Sequence, residues 1–149
     1  MLYRTLGKTN LSVSEIGFGA WGIGGRVANT LSYGDTDDDI SHQALHTAFE
    51  LGVTFFDTSN LYGWGHSERL IGEAFKKVRE KVILASKVGF VEGVGKQDFS
   101  PAHIRQSLQE SLQRLQTDYL DLYQLHDPPA SVLSEALPVL KELQHEGWI

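Results

Sequence analysis

Three side chains stand where short apolar runs stop and a fourth follows one of them closely, and together the four can move a proton beside a carbonyl group. "VTFFDTSNLYG" (Val53 to Gly63) closes an apolar run at Asp57 and brings Tyr62 five residues later. "KVILASK" ends on Lys87 and "YLDLYQLH" on His126. A phenol ordinarily titrates at about 10, so at neutral pH it is a poor proton donor and a very poor base. A neighbouring ammonium favours the phenolate and makes the phenol a better acid. A carboxylate paired with that ammonium keeps it charged and oriented, and an imidazole can donate a hydrogen bond to a substrate oxygen. Such a set suits protonation of a carbonyl oxygen as hydride reaches the carbon, or the reverse. In this reading Tyr62 is the acid, Lys87 tunes it, Asp57 orients Lys87 and His126 anchors the carbonyl. The chain has no cysteine nucleophile and no evident metal cluster, so the hydride must come from a bound cofactor.

Each residue also has a plainer role open to it. Asp57 can cap the turn after its strand, Tyr62 can be a half-buried loop aromatic, and Lys87 can be a solvated strand end. His126 can be a satisfied histidine or, with Asp127, a weak metal pair. The Asp-x4-Tyr spacing recurs at Asp118 and Tyr123, there at the start and middle of a strand rather than its exit. The joint placement of the four residues favours chemistry over the separate alternatives. Trp21 reads as a core or rim aromatic that can flank a ring in this setting. His42, His46, His66, His103 and His145 read as helix or loop surface. The acidic "DTDDD" (Asp35 to Asp39) is a helix start, because the spacing and terminal glutamate of a calcium loop are missing.

Convergence of these groups requires strands whose carboxyl ends lie side by side, and the pattern supplies them. "LYRTLGKTNLSVSEI" reads as a hairpin around a turn at Gly7 to Asn10. "IGFGA" (Ile16 to Ala20) is a short strand, followed by a Gly-rich loop from Trp21 to Gly34. A helix opens at "DTDDD", where negative charge suits the helix dipole. It carries Ile40, Ala44, Leu45, Ala48 and Phe49 on one stripe and stops at Gly52. After "VTFFD" comes a helix with Leu70, Ile71, Ala74, Phe75 and Val78 on one face, then the strand "KVILASK". Ser100 and Pro101 form an N-cap and first-turn pair for a helix burying Ile104, Leu108, Leu112 and Leu115. "YLDLYQLH" is the fourth strand, and Val132 to Glu146 the fourth helix, which Pro138 is expected to kink or to start later.

Four strand-then-helix units imply a parallel sheet with helices outside it, either doubly wound or a (β/α)8 barrel. Functional groups at the carboxyl ends of several strands favour the barrel, although open sheets also bind ligands at that edge. Alternation puts Val53 and Phe55 on the face of Asp57, Ile83 and Ala85 on that of Lys87, and Leu122 and Gln124 on that of His126. "GFGAWG" lacks the G-x-G-x-x-G spacing of a dinucleotide fold.

Composition narrows the partners. The 149 residues are 41% apolar and 21% charged, ordinary for one domain. A net charge of −6 with only 13 Lys and Arg argues against nucleic acid or an anionic membrane. The absence of cysteine and of any long apolar run points to the reducing cytoplasm and against membrane insertion. Oligomeric state is not legible.

At these residues the chain resembles the aldo-keto reductase superfamily, in its bacterial and channel-subunit-like branch. "YRTLGKTNLSVSEIGFGAWGIGG", "FFDTSNLYGWGHSERLIGEAF", "VILASKVG" and "SLQRLQTDYLDLYQLHDP" are similar to successive family segments, in the family's order. The resemblance implies a (β/α)8 barrel closed at its amino-terminal end by a hairpin, and NADPH-dependent reversible reduction of small carbonyl substrates. It implies catalytic roles for Asp57, Tyr62, Lys87 and His126, and cofactor contacts at Ala20, Trp21 and Asp57, with no metal. Four of eight barrel units are present, so residues 1–149 are expected to be a partial domain stopping before strand 5 and inactive alone. Two other outcomes stay open: an NADPH-binding redox-sensing regulatory subunit with little turnover, and an inactive truncated product.

Overall fold

The computed structural model describes residues 1–27, 32–91 and 96–149. The chain opens with antiparallel strands β1 (Tyr3–Thr5) and β2 (Ser12–Ser14), with Tyr3 opposite Ser14 and Thr5 opposite Ser12. This hairpin is fastened beneath the main sheet, as the family resemblance implies. Ser14 and Thr54 each donate a backbone N–H to the other's hydroxyl, at 3.0 and 2.9 Å. Thr54 lies immediately before the strand that carries Asp57, so the hairpin sits at the amino ends of the strands and leaves the carboxyl ends free.

The main sheet contains β3 (Phe18–Gly19), β4 (Phe55–Asp57), β5 (Ile83–Val88) and β6 (Leu122–Leu125), all parallel and paired in that order. Helices α1 (Asp38–Glu50), α2 (His66–Phe75) and α3 (Pro101–Leu115) connect them, and α4 (Leu133–His145) follows β6. A doubly wound sheet reverses its strand order at a switch point. Here strand order follows chain order throughout, and the helices pack in sequence, α1 on α2, α2 on α3, α3 on α4. That winding is the amino-terminal half of a (β/α)8 barrel.

Local chemistry starts the helices where the polar residues stand. Asp37 caps α1 by accepting the Ile40 N–H at 3.0 Å, with Asp38 and Asp39 in the first turn. Ser100 caps α3 by accepting from the His103 N–H at 3.3 Å, and Pro101 pre-sets the first helical residue. The core lies between helices and sheet. Phe56 and Leu84 project from the strands into Leu45, Ile71, Phe75, Ile104 and Leu108, all fully buried. Each such side chain is worth about 1.5–3 kcal/mol when buried. Phe55, Ile83 and Leu122 alternate onto the other face, the side of Asp57 and Lys87, and remain part-exposed.

Three details depart from expectation. The apolar stripe of α1 splits: Leu45 is buried, but Ile40 is 66% exposed and Ala44 is exposed too. Helical spacing says which residues share a face and not whether anything covers it. α4 starts at Leu133 and runs through Pro138 rather than beginning after it. Pro138 is early enough that the one hydrogen bond it lacks is to the Ser134 carbonyl, in the first turn. Val78 lies beyond the end of α2, packed against the core from a turn. Of the Gly-rich loop, Ala20–Ile23 form a single 3-10 turn, and residues 28–31 lie outside the described residues.

Candidate active site

β4 ends at Asp57, and parallel pairing sets Asp57 beside Ala85 of β5, two residues before Lys87. Lys87 in turn pairs with Gln124 of β6, two residues before His126. The period of two puts all three side chains on the face away from the helices. Tyr62 reaches them from the loop after β4. That loop turns tightly, with Tyr62 N–H donating to the Ser59 carbonyl at 3.1 Å and Ser67 N–H to the Tyr62 carbonyl at 3.2 Å. Gly63 has a φ of 62°, and a side chain there would run into the Gly24 carbonyl oxygen. Glycine is therefore required for the loop carrying Tyr62 to pack against the turn carrying Trp21.

The Lys87 ammonium is fully committed. Its Nζ donates to Asp57 Oδ2 at 2.6 Å, to the Thr58 carbonyl at 2.9 Å and to the Tyr62 phenol oxygen at 3.3 Å. Three donors meet three acceptors, so the charge is fixed in place. The phenol oxygen accepts from the ammonium and keeps its own O–H to donate elsewhere. Lys87 lies mostly buried, with 12% of its side chain exposed against 31% for Asp57. The pair is part-exposed, with the ammonium on the side of the phenol.

His126 closes the other side. Its backbone N–H donates to the Val88 carbonyl at 2.8 Å, its Nδ1 lies 3.1 Å from the Ser59 hydroxyl, and its ring stands edge-on to Tyr62 and Phe90. Burial lowers its pKa from the ordinary histidine value, and the Lys87 charge lowers it further, against smaller opposing effects of Asp57 and Asp127. The imidazole is therefore neutral at neutral pH and able to donate one hydrogen bond.

Ala20 and Trp21 occupy the turn after β3. Ala20 is fully buried, and its carbonyl accepts from Ser67 Oγ at 2.9 Å. The Trp21 ring is stacked 6.3 Å from Tyr62 and lies 4.7 Å from Tyr33. The structure thus brings Asp57, Tyr62, Lys87, His126 and Trp21 to one end of one sheet. Tyr123, of the repeated Asp-x4-Tyr spacing, is buried on the helix side instead. Among the described residues, no group of three or more His, Cys, Asp or Glu is placed to hold a metal ion. A groove of about 860 Å³ lies away from these groups, between the end of α3 and Trp148. It contains none of them.

Sequence reasoning missed Ser59, Phe90 and Tyr33, which line or support this constellation. Ser59 and Phe90 carry one available signal, since each lies two residues beyond the end of a strand that delivers a candidate group. Three histidines taken as plain surface have defined partners or settings. His66 bridges the Gly24 carbonyl and Asp38, each at 3.1 Å, and His42 meets Glu73 at 3.1 Å. His103 has a buried Nε2.

Comparison with known proteins agrees with this architecture. The model of the Aldo/keto reductase family matches residues 15–149. The chain is 39% identical to "Aldo-keto reductase YhdN" of Bacillus subtilis, over all of this chain and 45% of that protein. It is 36% identical to the "NADH-specific methylglyoxal reductase" of Escherichia coli, over 97% of this chain and 48% of that one. Among solved structures, the holo form of aldo-keto reductase AKR11C1 from Bacillus halodurans superposes with a TM-score of 0.84 at 38% identity, covering all of this chain and 48% of that one. The chain spans about half the length of the curated relatives it matches.

Proposed function

The chain belongs to the Aldo/keto reductase family, and from that premise we propose that the protein reversibly reduces aldehydes and ketones to alcohols, using NADPH and a proton from Tyr62. In this proposal residues 1–149 form the amino-terminal half of the NADP-dependent domain, the substrate is a small carbonyl compound, and the reaction takes place in the cytoplasm. The observation that carries it is the Lys87 ammonium, held between Asp57 at 2.6 Å and the Tyr62 phenol at 3.3 Å.

The residues present fit a nicotinamide. The site has a proton donor beside a fixed cation and an aromatic wall at Trp21, yet no side chain in it can deliver a hydride to carbon. Ala20, Trp21 and Asp57 would hold the ring end of the cofactor. The chemistry a bound NADPH supplies there is hydride to the carbonyl carbon. His126, neutral, donates a hydrogen bond to the carbonyl oxygen and orients it. Tyr62 gives its proton to that oxygen as negative charge develops, and Lys87 stabilises the phenolate left behind. Asp57 holds the Lys87 ammonium in place. In the oxidative direction the same groups act in reverse, with the phenolate as base.

A binding subunit that only reads cofactor oxidation state has no need of a committed ammonium on a phenol, and this favours turnover. Nicotinamide consumption by the full-length protein across a panel of aldehydes and ketones tests the proposal. Because one relative is named as NADH-specific, the assay compares NADPH with NADH. Carbonyl-dependent oxidation with NADPH preferred is the expected result. Tight binding without turnover would support the sensing role, and a preference for NADH would overturn the cofactor assignment.

A further inference from the structure

We propose that Ser59 is a positioning residue whose hydroxyl donates its proton to Nδ1 of His126, fixing the imidazole in the tautomer that carries its own proton on Nε2. The inference takes its catalytic consequence from the carbonyl-reduction reading, but its geometry stands apart from it. Ser59 is completely buried, 67 positions before His126, with its Oγ 3.1 Å from Nδ1. A serine hydroxyl has one proton to give and two lone pairs to fill. One lone pair takes the Leu61 N–H at 3.2 Å. Two acceptors then compete for the proton: His126 Nδ1 at 3.1 Å and Asn60 Oδ1 at 3.3 Å. The Asn60 amide is oriented by its Nδ2, which donates to the Phe90 carbonyl at 2.9 Å. The nearer acceptor is the imidazole nitrogen, and we assign the proton to it.

The assignment matters because a neutral imidazole has one N–H and one bare nitrogen. Burial and the Lys87 charge keep His126 neutral. With the proton on Nε2, that nitrogen donates to a carbonyl oxygen. With the proton on Nδ1, Nε2 offers a lone pair to the same oxygen and repels it. A hydrogen bond on one ring nitrogen setting the role of the other is how histidine tautomers are selected at catalytic and metal sites. Phe90, edge-on to His126 at 4.9 Å between centroids, and the His126 N–H bond to Val88 hold the ring in the orientation the hydroxyl requires.

NMR of the full-length protein labelled with ¹⁵N-histidine shows which nitrogen of His126 bears the proton, with His126→Gln identifying the signal. The native protein is expected to have Nδ1 bare and Nε2 protonated. In Ser59→Ala the proton should spread over both nitrogens, and kcat/KM for carbonyl substrates should fall about fivefold, the effect of one neutral hydrogen bond. Nicotinamide affinity should not change, and Ser59→Thr, which keeps a hydroxyl, should keep the native tautomer. A native His126 protonated on Nδ1 overturns the assignment, as does a Ser59→Ala protein whose tautomer is unchanged. A protein without reductase activity would sink the proposed function while leaving the tautomer result to decide the role of Ser59.

Discussion

Two of the carboxylates that meet a cation at 2.6 Å, Glu68 with Arg114 and Asp57 with Lys87, serve different ends. Glu68 lies on α2, has no exposed surface, and spends its other oxygen on Ser86 of β5 at 2.5 Å. Arg114 lies on α3 and also donates to Ser111 at 3.2 Å. The pair ties two helices to the sheet, and its further partners are two buried serine hydroxyls. Asp57 and Lys87 sit at the ends of neighbouring strands on the part-exposed face, and the ammonium's third partner is a phenol. Distance does not separate the two pairs. What separates them is whether the cation also touches a phenol, and whether the pair lies on the part-exposed face of the sheet.

Removing each partner in turn sharpens the contrast. Glu68→Ala should be the most destabilising change, about 3–5 kcal/mol, because it leaves Arg114 without its buried counter-charge. Chemical denaturation of the full-length protein measures it, and a loss below about 1 kcal/mol would make the pair no more than a surface contact. Lys87→Met should do the opposite, lowering kcat about 10- to 100-fold, part of the range of positioned acid–base groups, while shifting the denaturation midpoint far less than Glu68→Ala does. Equal effects of the two variants on stability would erase the distinction drawn here.

His126 gives a smaller, pH-dependent effect. Its folded-state pKa lies below the ordinary value of about 6.5. The unfolded chain therefore binds more protons as pH falls through that value, and stability is lost between it and the lower folded-state pKa. Replacement by Gln should flatten the stability profile across this interval and leave it unchanged above about pH 7.5. The smallest effect is expected at Arg105, which meets Glu142 and Glu146 on exposed surfaces of α3 and the end of α4. Arg105→Ala should change neither the denaturation midpoint nor turnover measurably.

The difference between the two pairs also explains what the sequence made legible. Asp57, Lys87 and His126 stood out because each interrupts an apolar strand at its end, a local break in a period-two pattern. The alternation of strand and helix and the Ser100–Pro101 helix start were readable for similar reasons, since each rests on neighbours in the chain. Glu68 did not stand out: on a helix it looks like any solvated acid, and only packing shows that it is buried against Arg114, 46 residues away. Ser59 escaped notice for the same reason, its partner being 67 residues distant. The exposure of Ile40 was hidden because periodicity marks a face without naming its neighbour.

The central claim is that the phenol on the fixed ammonium supplies the proton, and Tyr62→Phe tests it most directly. The measurement is single-turnover reduction of an aldehyde by the full-length protein, with nicotinamide affinity determined on the same preparation. The account predicts a loss of at least about a hundredfold in rate, in line with positioned general acids, with cofactor affinity within about twofold of the native protein's. A Tyr62→Phe protein that retained more than about a tenth of the native rate would contradict it.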